Sequence, residues 1–273
     1  MNGVAMIGNL PTPPVDATVS DVVEANVITV MAGLTGVALV FAVVFWWRTK
    51  QPTVLMLILA GGSMMLLEPF VDVVGGCWHP SDLARVFTLW ERPMPVWLCL
   101  TYFVFFGIGG GLTWLVVRRG ATPRTLWLLF LGGLVGDVVL ETVLMHWDVY
   151  RYYGNQPLVF LKFPLWWAPV NSVVDVVTAV AIVRFAAHLR GARQVLIIPL
   201  AMAISAAANT VAGLPSWTAV NSPDLGPVTR DALGLASFVV AGVIVWLLAA
   251  GATGTGPRAT SAPDDRALLE ASR

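Results

Sequence analysis

Apolar residues gather along this chain in seven stretches of membrane-crossing length, each closed by a cluster of polar, proline or glycine positions. With about 20 residues needed for a helix to cross the hydrocarbon layer, the stretches fall at residues 23–47, 53–75, 94–117, 125–147, 164–187, 194–213 and 231–251. The pattern predicts an all-α bundle of seven transmembrane helices forming one membrane domain over residues 23–251. Residues 1–22 hold three prolines and no Lys or Arg in their first 20 positions, lack the basic start of a signal peptide, and read as a short extracytoplasmic tail. Residues 252–273 are polar and read as a disordered cytoplasmic tail.

Basic residues orient the bundle, because cytoplasmic loops retain Lys and Arg during insertion. Alternate connections hold Arg48 and Lys50; Arg118, Arg119 and Arg124; and Arg184, Arg190 and Arg193, with no acid among them. The other connections mix signs: Asp82, Arg85, Glu91 and Arg92; Asp148, Arg151 and Lys162; Asp224 and Arg230. This asymmetry predicts an N-terminus outside and a cytoplasmic C-terminus. Composition agrees with a multi-pass protein of the cell membrane: 57% of the residues are hydrophobic, 12% are charged and the mean hydropathy is +0.77, whereas soluble domains carry about 25% charged residues. A formal net charge of zero gives no reason to expect nucleic acid.

Against that apolar background, four carboxylates stand out as two pairs spaced i, i+4: Glu68 with Asp72, and Asp137 with Glu141. The spacing puts both members of a pair on one helix face. A carboxyl group at membrane depth costs several kcal/mol unless it is protonated, paired or turned to a polar cavity. Counted from the ends of the spans, both pairs lie in the outer half of the membrane. Asn171 with Asp175, Asn209 and Glu24 join them there. Polar residues from five helices thus share one leaflet, which favours a pocket open toward the outer side over a continuous ion path. Pro69, between Glu68 and Asp72, removes a backbone donor and crowds the preceding turn, so the second span is expected to kink or unwind and free a carbonyl at the acids. Gly75, Gly76, Trp78, His79 and Pro80 form a turn-rich exit suited to capping a pocket.

Aromatic residues crowd the same side. Trp78, Trp90, Trp97, Trp147, Trp166, Trp167 and Trp217 fall near the outer ends, with Tyr150, Tyr152 and Tyr153 in the loop after the fourth span. An interfacial belt accounts for any single one; together they supply ring faces able to stabilise a cation. The candidate catalytic residues are therefore Glu68, Asp72, Asp137 and Glu141. The candidate substrate-binding residues are Trp78, Tyr153, Trp166, Trp167, Asn171, Asp175 and Asn209.

Several chemistries are demoted. His79, His146 and His188 form no HExxH, so a zinc site has weak support. Cys77 and Cys99 match neither a disulfide framework nor a metal knuckle and receive no role. There is no Gly-rich phosphate loop. Asp264-Asp265 lies in the tail, outside any span, so a magnesium motif for diphosphate ionisation is missing from the membrane region. No metal and no other cofactor is expected. Gly107, Gly109, Gly110 and Gly111 read as a helix-packing surface.

Glu68-Pro69-Phe70-Val71-Asp72 running into Gly75, Trp78 and Pro80, then Tyr152-Tyr153-Gly154-Asn155-Gln156-Pro157-Leu158, then Phe163-Pro164-Leu165-Trp166-Trp167 with Asn171, resembles the spirocyclase AveC-like membrane proteins of actinobacteria. The resemblance spans about residues 24–250. It implies ring closure of polyketides to spiroketals. Bacterial membrane terpene cyclases acting on prenylated indoles are similar in size and acid-rich layout.

Both closures need a proton delivered to a lipophilic small molecule and a carboxylate to collect one, with water excluded while a cation exists. A buried acid beside a second carboxylate is able to keep its proton at neutral pH. The residues thus point to an intramembrane cyclase with Glu68 or Glu141 as donor, tuned by Asp72 and Asp137, with Asp175 and Asn171 orienting the substrate. The density of aromatic rings leans toward a prenyl tail protonated at an alkene; spiroketal closure of a dihydroxyketone is the alternative. A proton-coupled transporter of a lipophilic solute is the competing class, although the hydropathy shows no duplicated half. Residues 231–251 hold no lysine for retinal. A purely structural role, with the acids paired to Arg, lacks basic partners within the spans.

Overall fold

The computed structural model describes residues 11–253, so the tail from residue 254 on, with Asp264 and Asp265, and the first ten positions lie outside the described residues. Seven helices long and apolar enough to cross a membrane make up the fold: α1 (Asp21–Thr49), α2 (Thr53–Gly75), α3 (Val96–Val117), α4 (Pro123–His146), α5 (Trp167–Arg184), α6 (Gly191–Val220) and α7 (Pro227–Gly251). Large apolar side chains such as Val30, Val37, Phe41, Leu128, Val135, Val239 and Leu247 stand exposed on α1, α4 and α7 and form a coat suited to lipid.

The α6 boundary differs most from the hydropathy reading, running seven residues past 213 and through Pro215. Polar residues in that stretch find partners within the bundle instead of leaving it. Ser216 Oγ lies 2.8 Å from Ser237 Oγ of α7, and the Asn221 amide donates to Val74 O at 2.7 Å.

α5 is the central post. Its most apolar window is 61% buried, against 22–44% for the other six, and it packs on α3, α4, α6 and α7. Small residues let these helices approach. Ser172 of α5 sits beside Gly133 of α4 and donates to Phe130 O, while Gly107 of α3 meets the backbone of Ile58 in α2.

Two helices break regular geometry near the acids. Pro69 has no N–H and crowds the carbonyl of Met65, four residues back. The chain answers with a 3₁₀ turn over Met65–Leu67, and Met65 O accepts the N–H of Glu68. The expected break in α2 is therefore present, but its carbonyl is taken up locally. In α3, a π turn over Phe103–Ile108 follows Tyr102, a local widening that often accompanies functional sites.

Short antiparallel ribbons, which helical periodicity does not reveal, cover one end of the bundle. β1 (Cys77–Trp78) pairs with β4 (Arg151–Tyr152), β2 (Arg85–Leu89) with β3 (Arg92–Pro95), and β5 (Val159–Phe160) with β6 (Phe163–Pro164). All lie in the α2–α3 and α4–α5 connections, which alternation of the spans puts on one side. Gly76, at φ +65°, closes α2 with its N–H on Asp72 O and turns the chain into β1. Gln156 then clamps the two connections together. Its amide donates to Gly75 O at 2.7 Å and Tyr153 O at 2.8 Å, and its carbonyl accepts from Trp166 Nε1 at 3.1 Å.

Candidate functional site

Beneath the ribbons lies a cavity of about 110 Å³, walled by α2, α3, α4, α5, α6 and the β1 and β4 segments. Glu68, Asp72, Asp137 and Glu141 all line it. The i, i+4 spacing brings each pair to one face, and α2 and α4 turn those faces to a common space.

The two walls differ electrically. On the α2 side His79 Nε2 lies 3.5 Å from Asp72 Oδ1 and 3.9 Å from Glu68 Oε1, and Tyr102 donates a hydrogen bond to Glu68. Burial disfavours a charge on His79, but the Asp72 and Glu68 carboxylates more than offset this and hold its imidazolium up to about 9. On the α4 side the Glu141 carboxylate accepts from the Tyr150 hydroxyl and, at 3.2 Å, from that of Tyr152. The Asn171 amide donates to both oxygens of Asp137 at 3.3 and 3.4 Å. Burial, reinforced by Glu141, pushes the Tyr150 and Tyr152 phenols well above their ordinary range, so both remain donors. Among the described residues, His79 is the cationic partner found within 4 Å of these four acids, and no Arg or Lys pairs with them.

Rings complete the lining. Trp97 stacks on Tyr150 at 5.6 Å and 23°, with His79 edge-on to Trp97 at 5.6 Å. Trp167 faces the cavity and is stacked from behind by Trp166 at 4.1 Å. The indole N–H groups of Trp97, Trp167 and Trp217 and the Asn209 carbonyl, all on the cavity wall, have no hydrogen-bond partner among the described residues.

Of the residues expected to bind substrate, Trp167, Asn171 and Asn209 line the cavity; Trp78, Tyr153, Trp166 and Asp175 do not. Trp78 and Tyr153 instead sandwich Arg92, whose guanidinium lies 5.2 and 5.6 Å from their rings and donates to the Tyr153 hydroxyl at 2.6 Å. Successive strand residues point to opposite faces, so Trp78 turns away where Cys77 and His79 turn in. Trp166 is spent on Gln156 and on backing Trp167. Asp175 lies one turn beyond Asn171, against Gly109 and Gly110 of α3. Glu24, placed by depth in the polar layer, accepts from Ala84 N at 2.7 Å and fastens the α2–α3 connection.

His79, Cys77, Tyr102, Tyr150, Tyr152 and Trp97 line the cavity beyond the residues singled out from sequence. The alternation of Cys77, Trp78 and His79 was the available signal for two of them. Compared with known proteins, the chain matches no family model, no curated protein and no solved structure.

Proposed function

We propose that this chain is a multi-pass protein of the cell membrane, oriented with its ribbon-covered end outside. It closes rings on a lipophilic natural-product intermediate by carboxylate acid/base catalysis. One observation carries the reading: two buried and two partly buried carboxyl groups, supported by three tyrosine hydroxyls and faced by Trp97 and Trp167, converge on one space within an apolar bundle. The resemblance of its motifs to the spirocyclase AveC-like group favours ring closure over transport.

The favoured substrate carries a prenyl tail. The α4 pair, which has no cationic neighbour within 4 Å among the described residues, supplies the proton; Glu68, across the cavity and beside His79, collects it. The proton adds to an alkene carbon, ring bonds form from the remaining double bonds, and a second proton leaves a carbon beside the final cation. The product is an isomer of the substrate. Indole and phenol faces stabilise the cation without capturing it, and exclusion of water prevents its quenching. The lining reaches the outer surface of the bundle at Phe70 and Thr210, where the rest of an apolar chain lies against lipid.

The spiroketal alternative has its own support. Three unpaired indole donors suit a substrate rich in oxygen, and a space of about 110 Å³ suits a compact reacting centre. That closure expels one water. Membranes containing the protein, given a farnesylated aromatic acceptor or a dihydroxyketone in deuterated buffer, separate the readings by mass spectrometry. The prenyl reaction yields a cyclic product with one solvent deuterium on carbon, one mass unit heavier than the substrate; the spiroketal product is one water lighter. If neither substrate is converted while solute flux is observed, the cyclase reading is wrong.

A further inference from the structure

The α2 end of the cavity brings together a set of side chains that proton transfer alone does not require. Gly76 reverses the chain at the end of α2, and the two inward positions of β1 and its extension, Cys77 and His79, come back against Asp72. The donor atoms of Asp72, Cys77 and His79 lie within 4.8 Å of one another. From His79 Nε2 the distances are 3.5 Å to Asp72 Oδ1 and 3.9 Å to Cys77 Sγ. A tetrahedral Zn²⁺, with bonds of about 2.0 Å to N and O and about 2.3 Å to S, sets its ligand atoms roughly 3.3–3.5 Å apart. The two distances from His79 Nε2 thus lie within a few tenths of an ångström of that geometry, and the Asp72 and Cys77 donor atoms, within 4.8 Å of each other, need to approach by about 1.3 Å at most.

A second observation is independent of the clustering. Asp72 is 1% exposed, and neither of its carboxylate oxygens has a hydrogen-bond partner among the described residues. Oδ1 has only the His79 ion pair at 3.5 Å and Oδ2 has no partner among the described residues, an arrangement that is costly in a protein interior. A divalent ion coordinated by one carboxylate, one thiolate and one neutral imidazole satisfies an oxygen and leaves the group with no net charge, the state best tolerated at low dielectric. Glu68 Oε1, 3.9 Å from the same imidazole nitrogen, stands within reach of the fourth position.

We propose that Asp72, Cys77 and His79 form a Zn²⁺ site at the cavity wall, its fourth position open to the cavity beside Glu68. Thiolate and imidazole ligands select Zn²⁺ over Mg²⁺ and Ca²⁺, which take oxygen. Binding takes Cys77 as thiolate and His79 as neutral imidazole and releases the proton of each to solvent. Occupancy is independent of the cyclase reading. A part for the ion in turnover, polarising a substrate oxygen at the open fourth position, rests on the spiroketal form of that reading.

The test uses the full chain in detergent micelles, stripped with chelator, desalted and given Zn²⁺ alone, with no substrate. One equivalent should be retained per chain, unaffected by excess Mg²⁺. Cys77→Ser and His79→Ala should weaken binding by at least about tenfold, and Cys99→Ser should leave it unchanged. Co²⁺ in place of Zn²⁺ should give a thiolate-to-metal charge-transfer band on the unsubstituted chain, which keeps the proposal testable if the variants do not fold. Absence of that band, no retained Zn²⁺, or retention that ignores Cys77 and His79 would each overturn the site. Cyclisation measured separately reports on the cyclase reading alone.

Discussion

Replacing Gly61 by alanine puts one methyl group into a close backbone-to-backbone contact between α2 and α3. A Cβ built on Gly61 of α2 falls 2.6 Å from Gly107 Cα and 2.8 Å from Tyr102 O of α3. Carbon atoms at their optimum sit about 3.5–4.0 Å apart, so the helices must part by roughly 0.7–0.9 Å or more. A gap of that size forfeits about a quarter to a half of each contact well along the seam. Both near neighbours are backbone, with no side chain to swing aside. That places the overpacking at about 3 kcal/mol, the upper part of the usual range, of which the better helix propensity of Ala recovers about 1 kcal/mol. Gly61→Ala should therefore unfold with about 2 kcal/mol less stability, read from loss of helicity as SDS is titrated into mixed micelles. Gly33→Ala is the control, because a Cβ there meets nothing within 4 Å; it should match or slightly exceed the unsubstituted chain. If Gly61→Ala unfolds at the same SDS fraction as Gly33→Ala, the α2–α3 packing described above is wrong.

The other predictions concern the roof and the site. Gln156→Ala strips partners from Gly75 O, Tyr153 O and Trp166 Nε1 at once, which should cost about 3 kcal/mol or more at roughly 1 kcal/mol or above per buried group, and should expose the α4–α5 connection to limited proteolysis. Gly76→Ala meets two penalties, a positive φ of 65° and the approach of Val220 Cγ1 at 2.8 Å. Expression as folded protein, followed by size-exclusion chromatography, should fall well below that of the unsubstituted chain. Tyr102→Phe removes the hydroxyl that donates to Glu68. A hydrogen bond to a charged group contributes about 1.5–3 kcal/mol, so stability should drop by that order and ring closure should slow with little change in KM. A kcat unchanged in Tyr102→Phe would remove Tyr102 from the site.

Helix number, approximate limits and the two acid pairs were legible because each rests on a local rule. A 20-residue apolar run, or an i, i+4 spacing, survives whatever the neighbouring helices do. Asp175 shows the limit of such rules. It shares a face with Asn171 by spacing, yet the turn between them carries it past the cavity to Gly109 and Gly110, where only the packing of α3 on α5 decides the outcome. Trp78 and Tyr153 were placed by their aromatic character and proximity in sequence, but Arg92, arriving from a distant ribbon, supplies a stronger local partner. His79 reads from sequence as part of a turn-rich cap, and as a metal ligand only against the other histidines. Its neighbours are a carboxylate seven positions back and a thiol two positions back, assembled by a two-residue strand too short to leave a periodic trace. Tyr102 was missed for a related reason: the π turn that follows it changes the helical phase, and sequence spacing alone does not report such a change.

The rate of ring closure in membranes, compared between the unsubstituted chain and Glu141→Gln at equal folded amount, tests the proposed chemistry most directly. Gln preserves shape and hydrogen bonding with Tyr150 and Tyr152 while removing the acid, so turnover should fall by about 10²-fold or more with helicity unchanged. Ring closure by Glu141→Gln at the rate of the unsubstituted chain would contradict the α4 pair as the proton source.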